Sequence, residues 1–393
     1  MKLLEQSPTD PQFVQDPYPL YSEARQSRQP IFWQDYQMKS LFRFDEVAHV
    51  LKDKRFGREV PQEDQKPPPA HLTQFYDIEA HSMLELEAPR HTRLRGLVLR
   101  AFTSRRIASL APDIEQLAHE LIDTFPKDRV DLIPAYANQI PVIIIARLLG
   151  VPESMAPDLL KWSNDMVMMY QAKRTRQHED QAAQSSKEFA DFMRGYIEQK
   201  RHKPADDLIT HLIAAEEQGD KLSTDELITT CILLLNAGHE ATVHTMGNGI
   251  KALIDHGSTP EWFKKDVIDR CVEEILRYDP PLHMFTRYCY EDCHLFGHDF
   301  ERGDQVALML GSTGRDPNVW ENEDQFDPTR AIKKNTAFGG GIHFCVGAPL
   351  ARLELRVALP ILFERHPNMA FETPPVYGDV YHFHGLEALK VTL

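Results

Sequence analysis

Of the five cysteines in this chain, at positions 231, 271, 289, 293 and 345, one is placed for chemistry. Cys345 lies in the stretch Phe338-Gly-Gly-Gly-Ile-His-Phe-Cys345-Val-Gly347, just before a helix predicted over Pro349–Arg365. Glycines at 339, 341 and 347 can take backbone angles that a Cβ forbids, which lets the main chain lie against a flat ligand. The freed backbone N–H groups and the positive helix end are expected to lower the thiol pKa and favour a thiolate. A lone thiolate against a planar macrocycle is how a haem iron is held from one side. Cys289 and Cys293 have no second ligand pair to complete a zinc site, and the odd, scattered set is expected to stay reduced.

Three other groups carry charge in a pattern. His91-Thr-Arg-Leu-Arg95 presents two tips four residues apart along one helix edge. Glu274-Ile-Leu-Arg277 puts a carboxylate and a guanidinium on one helix face, followed by Tyr278-Asp-Pro-Pro281. Ala237-Gly-His239-Glu240-Ala241-Thr242 places an acid mid-way along a long helical segment. Taken singly, each is as readily a surface ion pair or ordinary packing.

The elements that must position these residues read as mostly helical. Ser223-Thr-Asp-Glu226 is a capping box, and the helix it opens is predicted to run to Gly257, a rod of roughly 50 Å. Further helices are predicted over 90–110, 112–125, 137–149, 156–170, 181–202, 260–278 and 349–365. Strands are expected near 39–44, 306–310 and 389–393. Residues 57–80 and 171–177 read as irregular loops, long enough to be functional. No linker or repeat divides the 393 residues, so a single domain, mainly α with small β-sheets, is expected. The composition, 42% hydrophobic and 26% charged, is that of a globular core, and a net charge of −15 argues against nucleic-acid binding. Neither a cleavable leader nor a membrane-spanning run is apparent, so a cytoplasmic, unanchored protein is expected.

Together these motifs resemble the cytochrome P450 monooxygenases of the soluble bacterial type, from about residue 10 to the end. The cysteine stretch matches the family signature Phe-Gly-x-Gly-x-His-x-Cys-x-Gly at every specified position. The resemblance implies the cytochrome P450 fold, with the long central helix over haem b (iron protoporphyrin IX). It implies Cys345 as the axial ligand, and His91, Arg95, Arg287 and His343 on the haem propionates. Glu274, Arg277 and Arg330 would form a buried structural network behind the cysteine loop. In the mid-helix motif the family relays protons through an acid and an alcohol. Glu240 matches the acid; the alcohol position is Ala241, and a threonine appears only at Thr242.

The same resemblance places the substrate chamber along 74–84, 166–170, 233–241, 282–285 and 383–385. Phe75, Met169, Leu234, Ala237, Leu282, Met284, Phe285 and Phe383 are expected to line it, with His239, His283 or Arg58 offering polar contacts. The implied activity is insertion of one oxygen atom from O2 into an apolar or aromatic small molecule. With no flavin or iron–sulfur motif in the chain, electrons would come from a ferredoxin or flavodoxin with its NAD(P)H reductase. Arg93, Arg100, Arg105, Arg106, Lys333 and Lys334 are expected to form the docking face. The alternatives are a peroxide-driven peroxygenase, which the missing alcohol favours and Glu240 disfavours, and a haem-based sensor, which has no use for a large chamber.

Overall fold

The computed structural model of the chain describes residues 2–27, 29–170, 174–216, 222–380 and 382–393. Its longest element follows from its first turn. Ser223 Oγ accepts from the Glu226 N–H at 3.1 Å, and Glu226 Oε2 accepts from the Ser223 N–H at 2.8 Å. With both end donors satisfied, one helix runs over Thr224–Asp255, 32 residues. Gly257, at φ 65°, takes the left-handed angle at which helices commonly stop. Leu227, Cys231, Leu235, Met246, Ile250 and Leu253 on this rod are fully buried, which places it in the core.

Helices Gln139–Leu149, Ala156–Val167, Arg176–His202, Ile268–Tyr278 and Ala348–Arg365 pack around it. Several depart from the predicted spans. The segment predicted over 90–110 breaks after Ala101, where Thr103 starts a new turn by accepting from the Arg106 N–H at 3.3 Å. Between 260 and 278 only Ile268–Tyr278 is α-helical, because Lys264 is extended (ψ 147°) after a single 3-10 turn. The segment before Gln139 is a π-turn over Ile133–Ala137, and residues 168–170 tighten to 3-10. Thr175 caps its helix at Arg176, five residues earlier than expected, so the predicted 171–177 loop is shorter; its residues 171–173 lie outside the described residues. The 57–80 loop is irregular only in its first part, since Ala70–Leu72 and Thr73–Glu79 are helical.

The predicted strands exist in shortened form and join others into a larger sheet than expected. Six strands lie in the order Lys2–Leu4, Ile31–Trp33, Met38–Leu41, Gln305–Leu308, Phe285–Cys289, Phe56–Gly57. Lys390–Thr392 sits in a separate three-stranded sheet. In the main sheet Arg287 pairs with Val306 and Phe285 with Leu308. This fixes Arg287 and Phe285, two apart, on one face of their strand. No helix among the described residues is long and apolar enough to cross a membrane.

Candidate active site

The cysteine loop is closed by its own backbone. The Cys345 N–H donates to Phe338 O at 3.0 Å, Phe344 N–H to Gly341 O at 3.2 Å, and Gly339 N–H to Thr336 O at 2.8 Å. Gly339 and Gly341 have φ of 69° and 66°, and a Cβ on Gly341 would lie 2.2 Å from the Leu51 carbonyl oxygen. Only glycine fits there. Gly347 differs from the expectation: its φ is −77°, an ordinary helical angle, and a Cβ there would only touch the Cys345 sulfur at 3.8 Å.

Cys345 keeps accessible surface although it lies deep in the protein, so its sulfur faces an internal space. Its thiol is not the free thiolate that the glycines and the helix suggested. Burial pushes the pKa up, and this outweighs the Gly347 and Ala348 N–H groups and the Arg95 and Arg352 guanidinium groups, which pull it down. A coordinated metal, which deprotonates a thiol outright, reverses that balance.

The four residues expected at the propionates meet in one place. The His91 and His343 rings lie 4.4 Å apart. His91 is buried with Nδ1 unpartnered, and burial, His343 and Arg95 push its pKa down to about 4. Among the described residues buried Arg287 makes a single hydrogen bond, Nη1 to Thr286 O at 2.7 Å, and burial and Arg58 push its pKa down to about 9. Arg95 donates to Phe344 O at 2.6 Å, which braces the cysteine loop. His343 is hydrogen-bonded to a carboxylate, Glu87 Oε1, at 2.9 Å, and the same carboxylate acts on His91 and Arg287. A buried guanidinium such as Arg287, with no carboxylate bonded to it among the described residues, is costly. Two propionates in this position would offset that cost, so the residues present fit a haem bound at Cys345.

Behind the loop, Arg277 grips Glu274 with two bonds of 2.7 Å, and both side chains are buried. Arg330 Nε lies 3.2 Å from Glu274 Oε2. The rest of the Arg277 guanidinium donates to the carbonyls of Gly314, Glu323 and Gln325, so it ties two loops to the Ile268–Tyr278 helix.

On the long helix, Leu233, Leu234, Ala237, Glu240, Ala241 and His244 keep accessible surface in the midst of buried neighbours. Spacings of three and four make this one stripe, and in a core helix such a stripe must face an internal chamber. Thr242 is not on it: it is buried, and its hydroxyl donates to Gly238 O at 2.9 Å. His239 is also buried off the stripe, near the Asn138 backbone, and does not open on the chamber with its neighbours. His244 was not singled out from sequence, although its four-residue spacing from Glu240 was visible. Its Nε2 lies 3.8 Å from Glu240 Oε1, and its ring is so close to Gly385 that a Cβ there would sit 1.9 Å from Nδ1.

The expected chamber residues divide. Leu234, Ala237, Leu282, Phe285 and Phe383 retain accessible surface; Phe75 and Met169 are buried. Met284, which immediately precedes the Phe285–Cys289 strand, packs into a separate cluster with Tyr18, Trp33 and Met309. His283 is likewise committed elsewhere, to Tyr21 OH at 3.1 Å beside buried Asp279. Arg58 is bound to Glu85 at 2.6 Å and is no free clamp for a substrate carboxylate.

A glycine-closed cysteine loop, a buried cluster of histidine and arginine and a helix with an accessible stripe are the arrangement that a haem-thiolate protein needs. The sequence matches the family Cytochrome P450 over residues 20–265 and 264–367. It is 36% identical to "Polyketide biosynthesis cytochrome P450 PksS" of Bacillus subtilis (strain 168), with 100% of both chains covered. It is 35% identical to "Vitamin D(3) 25-hydroxylase" of Pseudonocardia autotrophica, covering 97% of this chain and 94% of that one. The solved structure of P450BioI, in complex with hexadec-9Z-enoic acid ligated acyl carrier protein, superposes with a TM-score of 0.90. It is 31% identical, covering 97% of this chain and 99% of that one. This chain belongs to the cytochrome P450 family and is a monooxygenase of its bacterial branch.

Proposed function

We propose that this enzyme inserts one oxygen atom from O2 into a small or medium apolar or aromatic substrate, by hydroxylation, O-dealkylation or epoxidation. Electrons would come from a separate ferredoxin or flavodoxin with its NAD(P)H reductase. The observation that carries this reading is the accessible stripe on the long helix, apolar at Leu233 to Ala237 and acidic at Glu240. Haem held through Cys345 would supply the oxygen activation. His91, Arg95, Arg287 and His343 would hold its propionates.

The chain's own residues do the rest. Leu233, Leu234, Ala237 and Phe285 offer apolar surface that binds the substrate body and excludes bulk water. Glu240 offers its carboxylate to the chamber, and one of its oxygens is buried without a hydrogen-bond partner among the described residues. Ala241 leaves room beside it for ordered water or a substrate hydroxyl in place of the family's alcohol, and a bridging water costs little when polar groups hold it. On the expected docking face Arg93 and Arg106 are already paired with Glu226 and Asp206. The charge offered to an acidic partner is therefore smaller than the basic residues suggest.

The missing hydroxyl at Ala241 is the one observation that favours a peroxygenase, and the acid at Glu240 weighs against it. Turnover of screened substrates with a reconstituted ferredoxin system, set beside hydrogen peroxide alone, tests the choice. Product should form at the expense of O2 and reduced nicotinamide. Equal or faster product formation with peroxide alone would overturn the redox-partner reading.

A further inference from the structure

We infer that Glu79 makes the chamber selective for substrates that carry an ammonium group on an apolar body, an inference that rests on the chamber reading above. Glu79 ends the helix Thr73–Glu79. The Ile78 carbonyl beside it accepts from Thr229 Oγ1 at 3.2 Å, which ties this helix to the long one. Thr229, Leu233 and Ala237 follow at intervals of four, so Glu79 stands over the start of the accessible stripe. From the opposite wall Tyr170 OH donates to Glu79 Oε2 at 3.0 Å. Both side chains keep accessible surface while lying deep in the protein, so that surface faces the interior.

Glu79 is an acid in need of a cation. Among the described residues none pairs with it, and Tyr170 is its one hydrogen-bond partner. The nearby guanidinium, Arg58, is bound to Glu85 at 2.6 Å and lies over the Phe285 ring at 5.6 Å. Arg58 is thus committed to Glu85, and among the described residues no cation is bonded to Glu79 at its end of the apolar space. Burial first, and then Glu85, push the Glu79 pKa up to about 7, while Tyr170 and Arg58 pull it down. A ligand ammonium supplies the missing charge where a neutral ligand does not.

The haem-loaded protein can be titrated with 4-phenylbutyltrimethylammonium and with its neutral tert-butyl isostere, (5,5-dimethylhexyl)benzene. The quaternary nitrogen cannot ligate iron and its charge does not change with pH. Affinities are read by calorimetry and by the shift in haem spin state. The cation should bind roughly tenfold tighter or better at about pH 8. That preference should vanish at about pH 5.5, where Glu79 is protonated, and Glu79→Gln should abolish it at the higher pH. Equal affinities at the higher pH, or a preference that survives Glu79→Gln or acidification, would overturn the inference. If Glu79→Gln does not fold, the wild-type pH series decides alone. A neutral isostere that binds without a cation preference overturns the ammonium inference only. Failure of both compounds to bind overturns it together with the chamber reading.

Discussion

At the scale of single residues, adjacent positions on a helix have opposite fates. One residue is about 100° of rotation, enough to leave Ala241 on the chamber stripe and bury Thr242 against Gly238. Thr242→Ala should therefore leave the product formed per reduced nicotinamide nearly unchanged, whereas Glu240→Gln should lower it severalfold. Ala241→Thr should preserve or raise it. Severe uncoupling in Thr242→Ala would mean that the helix rearranges around the haem. Cys345→Ser should abolish the long-wavelength Soret band of the reduced carbon monoxide complex. Joint replacement of Cys231, Cys271, Cys289 and Cys293 should leave that band in place.

At the scale of elements, the cysteine loop is held by contacts that tolerate little change. In Gly341→Ala the new methyl group meets the Leu51 carbonyl at 2.2 Å in a left-handed backbone, so the loop has to move. Haem content, read from the Soret-to-protein absorbance ratio, should fall sharply, while far-ultraviolet dichroism reports a helical protein. Arg277→Ala leaves buried Glu274 with Arg330 as its remaining cation and the Asp327 N–H as a donor, and takes the Arg277 donor from the Gly314 and Glu323 carbonyls, at a cost of about 3–5 kcal/mol. Chemical denaturation should show that loss, or soluble protein should not accumulate. A midpoint close to wild type would demote the network to a peripheral ion pair.

At the scale of the whole molecule, one buried carboxylate joins distant parts of the chain. Asp279 accepts from Tyr18 OH at 2.7 Å and Tyr377 OH at 2.6 Å, and His384 Nδ1 lies 2.8 Å away. Burial pushes its pKa up, but His384 and His283 more than offset this and hold it well below the usual carboxylate range. A carboxyl whose folded pKa is depressed stabilises the fold above its unfolded value, about 3.9. That contribution is lost as pH falls below this value toward the folded pKa. Asp279→Asn should cost about 3 kcal/mol near neutral pH, and the deficit should narrow in acid. Denaturation midpoints of the two proteins between neutral pH and about pH 3 would show whether the curves converge.

The closed cysteine loop, the long capped helix and the Glu274–Arg277 pair were legible in the sequence because each is written in local spacing. Glycines two apart, a capping box and a one-turn ion pair all act within a few residues of chain. The departure at Ala241 was equally plain, since it is a matter of residue identity and helical rotation. What only the tertiary structure decided is which polar groups share an enclosed space. Met284 and His283 left the expected chamber because a separate apolar cluster and a buried carboxylate hold them elsewhere. His244 joined Glu240, and Glu79 met Tyr170 from across the chamber wall. The Cys345 pKa turned on the same distinction: local N–H groups pull it down, but burial, the sum of everything packed around it, pushes it up further. Desolvation depends on the whole surrounding volume, and no spacing along the chain encodes it.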